Sequence, residues 1–252
     1  MKFVRYGEGQ YGILENDTVF AASGGPFAGG LVKGAAVGPV GSVRLLPPVV
    51  PGKMLCIGMN FVKHVTELDP TRQIPTDMVV FMKPQSTLIG NGETILIANP
   101  EHDTHYEAEL VIVIGKTARN VSEADALDYV LGYTVGNDVS DRNLQRQDGQ
   151  WTRAKGFDTY CPLGPCVAVG LDIGNVKIVS RLNGETRQSS DTPDMIFKVP
   201  YLVSSLSKVM TLDPGDIILT GTPAGVGNLK AGDVIECEVD GIGVLRNPVA
   251  NR

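Results

Sequence analysis

The sequence predicts a β-dominated α+β fold of the roll type. Three observations carry this. Short β-branched apolar runs outnumber helical patterns, they do not alternate with helices as βαβ units would, and 30 glycines and 16 prolines among 252 residues separate them with turns.

The elements follow in order. Lys2–Tyr6, Tyr11–Glu15 and Thr18–Phe20 read as short strands, with glycine turns and Asn16-Asp17 between them. Residues 23–41 are rich in Gly and Ala and show no periodicity. Leu46-Pro47-Pro48-Val49-Val50-Pro51 reads as a stiff connector, because proline fixes φ and favours extended chain before it. The boundary falls there, giving a small β-rich subdomain over 1–46 and a main domain over 47–252. About 46 residues bury too little surface to fold alone with confidence, so the subdomain is expected to pack on the main domain. The main domain opens with a strand at Lys53–Ile57, then Gly58-Met59-Asn60, and a short helix follows through about Leu68. Strands are expected at Met78–Met82, Thr94–Ile97 and Glu107–Ile114. Ser122 is placed to N-cap a helix to Val130, followed by a strand over Leu131–Asn137. Val176–Leu182 and Glu185–Gln188 flank Asn183-Gly184 as a hairpin. Pro200–Met210 is a helix, and Asp216–Leu219 and Val234–Val239 are strands, the latter leading into a hairpin turn at Asp240-Gly241.

Bulk properties exclude several functions. The chain is 42% hydrophobic and 20% charged, long enough for a full core. Net charge is −6 with no basic stripe, which argues against nucleic acid. Apolar runs are short and interrupted, so no membrane span is expected, and Met1–Tyr6 lacks the apolar core of a signal peptide. Cys56, Cys161, Cys166 and Cys237 match no zinc spacing; they are expected to be buried, reduced thiols of a cytoplasmic protein.

The most informative stretch is Tyr106-Glu107-Ala108-Glu109-Leu110, leading into Val111–Ile114. Residues i and i+2 of a strand share a face, so Glu107 and Glu109 are expected side by side at the entrance of a buried sheet. Either both lie in water at a strand end, or a hard divalent cation offsets their repulsion and desolvation. Asp138 follows an apolar strand and is either a turn cap or a third oxygen donor. Three carboxylates leave about three octahedral positions open, as a catalytic site requires. His64 and Glu67 share a helix face at i and i+3; they are either a surface pair or a base that orients water. Lys155, among Trp151 and Phe157, is either a surface lysine or a cation for a developing enolate. His102, His105 and Glu107 offer a rival zinc or iron site of an oxygenase. Thr220–Gly227 is a glycine-rich loop without the Lys-Ser/Thr ending of a phosphate loop; its N–H groups and Thr222 suit a small carboxylate.

Taken in chain order, Gly58-x-Asn60-x-x-x-His64-x-x-Glu67, Tyr106-Glu107-x-Glu109, Asn137-Asp138-Val139-Ser140-x-Arg142-x-x-Gln145, Trp151-x-x-x-Lys155-x-Phe157-Asp158 and Gly221-Thr222-Pro223 resemble the fumarylacetoacetate hydrolase superfamily. The resemblance spans 53 to about 248, and the small N-terminal region resembles the one preceding this domain in many bacterial members. It implies a mixed β-sandwich roll, usually a homodimer. It also implies Mg²⁺ or Mn²⁺ on Glu107, Glu109 and Asp138, and a small 2-oxo-acid substrate contacted by Asn60, Arg142, Gln145, Gly221 and Thr222. His64, Glu67 and Lys155 would be catalytic, and residues 59–76 would form a lid. The reaction implied is hydrolysis of acylpyruvate-type 2,4-dioxo acids through a metal-bound pyruvate enolate. Oxaloacetate decarboxylation and 2-hydroxyhepta-2,4-diene-1,7-dioate isomerisation are alternatives on the same site. A non-enzymatic dicarboxylate-binding module is a further alternative. Phe61, Asp141 and Asn143 depart from the family pattern without touching a ligand.

Overall fold

The computed structural model describes residues 1–67 and 70–252. The N-terminal region contributes β1 (Lys2–Tyr6), β2 (Gln10–Glu15), β3 (Thr18–Gly25), β4 (Gly30–Pro39) and β5 (Leu45–Leu46). Next come β6 (Met54–Gly58), α1 (Val62–Glu67), β7 (Val79–Met82), β8 (Leu88–Ile89), β9 (Ile95–Ile97), β10 (Thr104–Tyr106) and β11 (Ala108–Ile114). The middle of the chain holds β12 (Val130–Asn137), β13 (Ser140–Asp141), α2 (Arg142–Gln147), α3 (Thr152–Lys155) and β14 (Cys161–Ala168). The last elements are β15 (Lys177–Leu182), β16 (Glu185–Asp191), α4 (Val199–Val209), β17 (Ile217–Leu219), β18 (Gly227–Asn228), β19 (Val234–Val239) and β20 (Gly243–Asn251).

Among the described residues the strands form a twelve-stranded sheet, a five-stranded sheet and a three-stranded sheet. The backbone path of the largest runs β4-β3-β2-β1-β14-β12-β11-β17-β6-β7. Strand β11 lies inside this path and pairs antiparallel with β12 and β17. Every residue of β11 is buried, so its period-2 alternation feeds two cores rather than one core and water. Leu110, Ile112 and Ile114 pack with α4 and with β19 and β20 of the five-stranded sheet. Val111 and Val113 face a second cluster with Met54, Cys56, Ile217 and Leu219. Burying an aliphatic side chain contributes roughly 1.5–3 kcal/mol. Five such residues in one strand help offset the cost of the acidic groups beside them.

The predicted β-dominated class is the observed one, and most expected strands fall within a residue or two of their places. The differences have physical reasons. Residues 23–41 gave no strand signal, yet β3 and β4 form a hairpin there. Strand β4 is an edge and mostly exposed, so no buried face imposes alternation on its Gly and Ala. Strand β14 escaped because Pro162, Gly164 and Pro165 argue against an interior strand. It is nonetheless interior, and its pairing with β12 breaks register between Tyr133 and Val135, where these residues are accommodated. The helix expected from Ser122 is a turn followed by a 3-10 helix at Ala126–Tyr129. Ser122 Oγ still accepts from Asp125 N–H at 3.2 Å, but β12 claims the chain from Val130, leaving too little length for an α-helix. Helix α1 is described to Glu67; its expected end at Leu68, and part of the expected lid, lie outside the described residues.

The N-terminal strands join the main sheet directly, because β1 pairs with β14 through Lys2↔Ala168 and Phe3↔Val167. Among the described residues no helix is long and apolar enough to cross a membrane. All four cysteines are free and buried. Burial raises the Cys161 thiol to about 12 and that of Cys166 to about 11, so these are packing groups rather than nucleophiles.

Candidate active site

Where β11 begins and β12 ends, three carboxylates meet. Glu107, Glu109 and Asp138 are each at most 3% exposed. One ligand oxygen from each lies within 4.8 Å of the others, and among the described residues this is the group able to hold a metal. Backbone pairing sets the spacing. Glu107 sits just before β11, with its N–H donated to Asn137 Oδ1 at 2.9 Å and its carbonyl accepting from Asp138 N–H at 2.9 Å. Glu109, one register step on, pairs with Gly136.

The charges are not balanced. Burial opposes ionisation of Glu107, but the Arg142 guanidinium, the Lys155 ammonium and His64 outweigh it and hold this carboxyl well below its usual range. Burial, reinforced by the charges of Asp138 and Glu107, pushes the Glu109 carboxyl well above its own. Burial also opposes the charge on Lys155, yet Asp138 and Glu107 raise its pKa, so it stays an ammonium. Its Nζ donates to Glu107 Oε2 at 2.7 Å and to Asp138 Oδ2 at 2.6 Å. The donor set is three hard oxygens with no thiolate or imidazole, which fits a hard divalent cation.

A pH dependence follows. Ligation needs Glu109 as a carboxylate, so metal binding must release its proton. A carboxyl whose folded pKa is raised contributes stability below its unfolded value and loses it as pH rises through the folded one. The metal-free protein should therefore weaken as pH climbs past the ordinary glutamate range, and added Mn²⁺ should offset the loss. Calorimetric titration with Mn²⁺ in buffers of different ionisation enthalpy should show proton release and tighter binding at higher pH. Affinity independent of pH, with no proton released, would contradict this assignment.

The side chains around the three carboxylates are tightly hydrogen-bonded. Arg142 Nη2 donates to Glu107, and Nη1 donates to Gln145 Oε1 at 2.7 Å. Both residues ride on α2, whose N-cap is Asp141: its Oδ1 accepts from Leu144 N–H at 3.0 Å. The other Asp141 oxygen pairs with His102 Nδ1 at 2.7 Å. His102 is thus committed away from the acidic group. Burial, then Arg142, lowers the His105 pKa to about 4. The His102/His105/Glu107 arrangement does not assemble as a metal-ready group among the described residues.

His64 Nδ1 lies 3.2 Å from Glu67 Oε1, and His64 Nε2 lies 3.9 Å from Glu107 Oε1. The other Glu67 oxygen accepts from Gly225 N–H at 2.7 Å, which ties α1 to the glycine-rich loop. Gly225 has φ +103°, and an added Cβ would sit 2.1 Å from the Arg187 carbonyl oxygen, so this turn excludes other residues.

In that loop, Gly221 N–H donates to Glu109 Oε2 at 2.7 Å and is therefore engaged with a triad member. Thr222 Oγ1 donates to the Ala108 carbonyl at 2.9 Å and faces the cavity. Asn60 is fully buried and spends its amide on backbone: Nδ2 donates to the Thr220 and Phe197 carbonyls, and Oδ1 accepts from Phe197 N–H. The structure thus gives Asn60 a positioning role beside the loop, away from the cavity wall.

Sequence reasoning missed two buried groups. Lys83, just past β7, donates to Asp138 Oδ1 at 2.6 Å and to the Val139 carbonyl at 3.1 Å. The signal was a lysine between an apolar strand and Pro84. Gln188 Nε2 donates to Thr222 Oγ1 and to the Pro223 carbonyl, both at 2.7 Å. It lies in the otherwise polar strand β16, which offered no cue for burial.

These groups surround one cavity of about 510 Å³. It is lined by the three carboxylates, His64, Lys155, Arg142, Gln145 and Thr222, with Trp151, Ile57 and Val65 as apolar wall. An open carboxylate cluster and a histidine backed by a glutamate, around one cavity, define an enzyme site built for a divalent metal. Residues 53–250 match the family described as fumarylacetoacetate (FAA) hydrolase C-terminal, and residues 1–48 match the family described as Rv2993c-like, N-terminal. The chain belongs to the fumarylacetoacetate hydrolase family.

Relatives with named activities are diverse. The chain is 44% identical over 221 residues to oxaloacetate tautomerase fahd2, mitochondrial, of Xenopus laevis, covering 82% of this chain and 69% of that protein. It superposes on the 2-hydroxyhepta-2,4-diene-1,7-dioate isomerase of Mycobacterium marinum with TM-score 0.90 and 39% identity, covering 100% of this chain and 99% of the other. The maleylpyruvate hydrolase of Sphingobium sp. SYK-6, solved with manganese(II) and pyruvate, gives TM-score 0.83 and 28% identity, covering 100% and 99%.

Proposed function

We propose that this protein hydrolyses acylpyruvates, cleaving the C3–C4 bond of a 2,4-dioxo acid to give pyruvate and a carboxylic acid. The observation that carries the reading is His64, which lines the cavity beside the triad with Glu67 behind it, 3.2 Å from its Nδ1. A divalent ion held by Glu107, Glu109 and Asp138 supplies Lewis acidity to the 2-oxo-acid end of the substrate. Glu67, oriented by His64 and Gly225 N–H, takes a proton from water. The water oxygen adds to the distal carbonyl carbon. The C3–C4 bond then breaks, its electron pair remains on the pyruvate fragment as an enolate, and the acyl carbon leaves as a carboxylic acid. Protonation at C3 completes pyruvate. Lys155, a buried ammonium on the cavity wall, faces the negative charge as it develops, which is where stabilisation accelerates reaction. Arg142 and Gln145 hold the triad side of the wall, and Thr222, its hydroxyl fixed by the Ala108 carbonyl and Gln188, shapes the wall opposite. The manganese and pyruvate held by the Sphingobium hydrolase support this reading.

A second reading, oxaloacetate tautomerisation, is supported by the named activity of the Xenopus relative. The His64–Glu67 pair would then move the C3 proton between enol and keto forms without attacking water. We place the protein in the cytoplasm as a homodimer, in keeping with four free buried thiols for the former and with the family resemblance for the latter. Assays run in parallel separate the two reactions. Equimolar pyruvate and acetate from acetylpyruvate, at a kcat/KM well above that for ketonising enol-oxaloacetate, is the expected result. The reverse order would make tautomerisation the main activity.

A further inference from the structure

Four basic side chains line the active-site cavity, and three of them are already committed. Arg142 serves Glu107 and Gln145. Lys155 bridges Glu107 and Asp138. Arg146 Nη2 reaches Asp103 Oδ2 and Asn143 Oδ1, each at 3.3 Å. Arg72 differs. It follows α1 and precedes β7 in sequence, is itself exposed, lines the cavity, and makes no ion pair with another described residue.

Charge points the same way. With all three triad carboxyls ionised, as ligation requires, they and the four cations that line the cavity leave an excess of one positive charge. A divalent cation on the triad raises that excess to three. A substrate with one carboxylate leaves most of it unmatched, whereas a second carboxylate on the substrate would meet the uncommitted guanidinium. Guanidinium–carboxylate pairs favour a bidentate geometry that reads position as well as charge. The cavity volume of about 510 Å³ gives room for a short chain between the two ends.

We infer that Arg72 is a specificity-determining residue that binds a second carboxylate at the far end of the substrate, selecting dicarboxylic over monocarboxylic 2-oxo acids. The inference rests on the reading of this cavity as a 2-oxo-acid site. It is tested by binding, so that it does not depend on which reaction follows. 2-Oxoglutarate and 2-oxopentanoate share a five-carbon skeleton and differ in a terminal carboxylate against a methyl group. Calorimetric titration of each into the Mn²⁺-loaded protein gives the ratio of their Kd values. The expected result is about tenfold tighter binding of 2-oxoglutarate, the size of one charge-assisted contact. Arg72→Gln should bring the two ligands within about twofold, and Arg72→Lys should retain part of the preference, which separates loss of charge from loss of fold. Equal binding by the unmutated protein, or a preference that survives Arg72→Gln, overturns the role of Arg72 while leaving the 2-oxo-acid reading intact. Binding of neither ligand overturns both.

Discussion

Glu67→Gln is expected to lower acetylpyruvate cleavage by about 10²–10⁴-fold, the usual contribution of a positioned general base. The change isolates the base. Glutamine keeps the size of the side chain, and its Oε1 can still accept the Gly225 N–H that holds Glu67 Oε2 at 2.7 Å. The amide cannot take a proton from water. Mn²⁺ affinity should stay within about threefold of the unmutated protein, since Glu67 is outside the acidic group. The loss should appear in kcat more than in KM, because the missing interaction is made in the transition state. Near-normal kcat in this variant would remove Glu67 from water activation and, with it, the observation that carries the hydrolytic mechanism.

The second large effect is a contrast between two isosteric changes in the triad. Asp138→Asn should cost about 3–5 kcal/mol of stability in the metal-free protein, as breaking buried ion pairs does. Asp138 faces Lys83 at 2.6 Å and Lys155 at 2.6 Å, and the lysine side chains are 0% and 3% exposed. Neutralising it leaves Lys83 with a backbone carbonyl and Lys155 with Glu107 alone. Glu109→Gln should behave oppositely. Burial and its acidic neighbours already favour the neutral form of Glu109, and a glutamine oxygen can still accept from Gly221 N–H. Its metal-free stability should match or exceed that of the unmutated protein at neutral pH. Both variants should lose the rise in melting temperature that Mn²⁺ confers on the unmutated protein. Thermal melts with and without Mn²⁺ give all four values. Equal destabilisation by the two changes would mean that the triad is a symmetric charge cluster, contrary to this account.

The central strand and its carboxylates were legible in the sequence because one physical demand produced both signals. Strand β11 is buried on both faces, so it reads as an unbroken β-branched run, and two glutamates spaced by two at its start conflict with that burial unless something compensates. Asp138 was visible for the same reason, at the end of the apolar run of β12. Lys83 and Gln188 were not. Each is buried by contacts with residues 55 and 34 positions away, and neither strand carries a pattern that announces it. Asn60 was visible as a motif residue but not in its role, because its partners are backbone groups at Thr220, brought near by the parallel pairing of β6 and β17, and at Phe197, brought near by the Phe61–Met195 bridge. Strand β4 lay at the other limit: an exposed edge imposes no pattern, so pairing with β3 alone defines it.

The measurement that tests the account most directly is pyruvate release from acetylpyruvate by EDTA-stripped protein, before and after Mg²⁺ or Mn²⁺ is added. The account predicts no release above background without metal and full recovery with a divalent ion. The same rate in stripped and loaded protein, or none with either ion, would contradict metal-dependent acylpyruvate hydrolysis at this site.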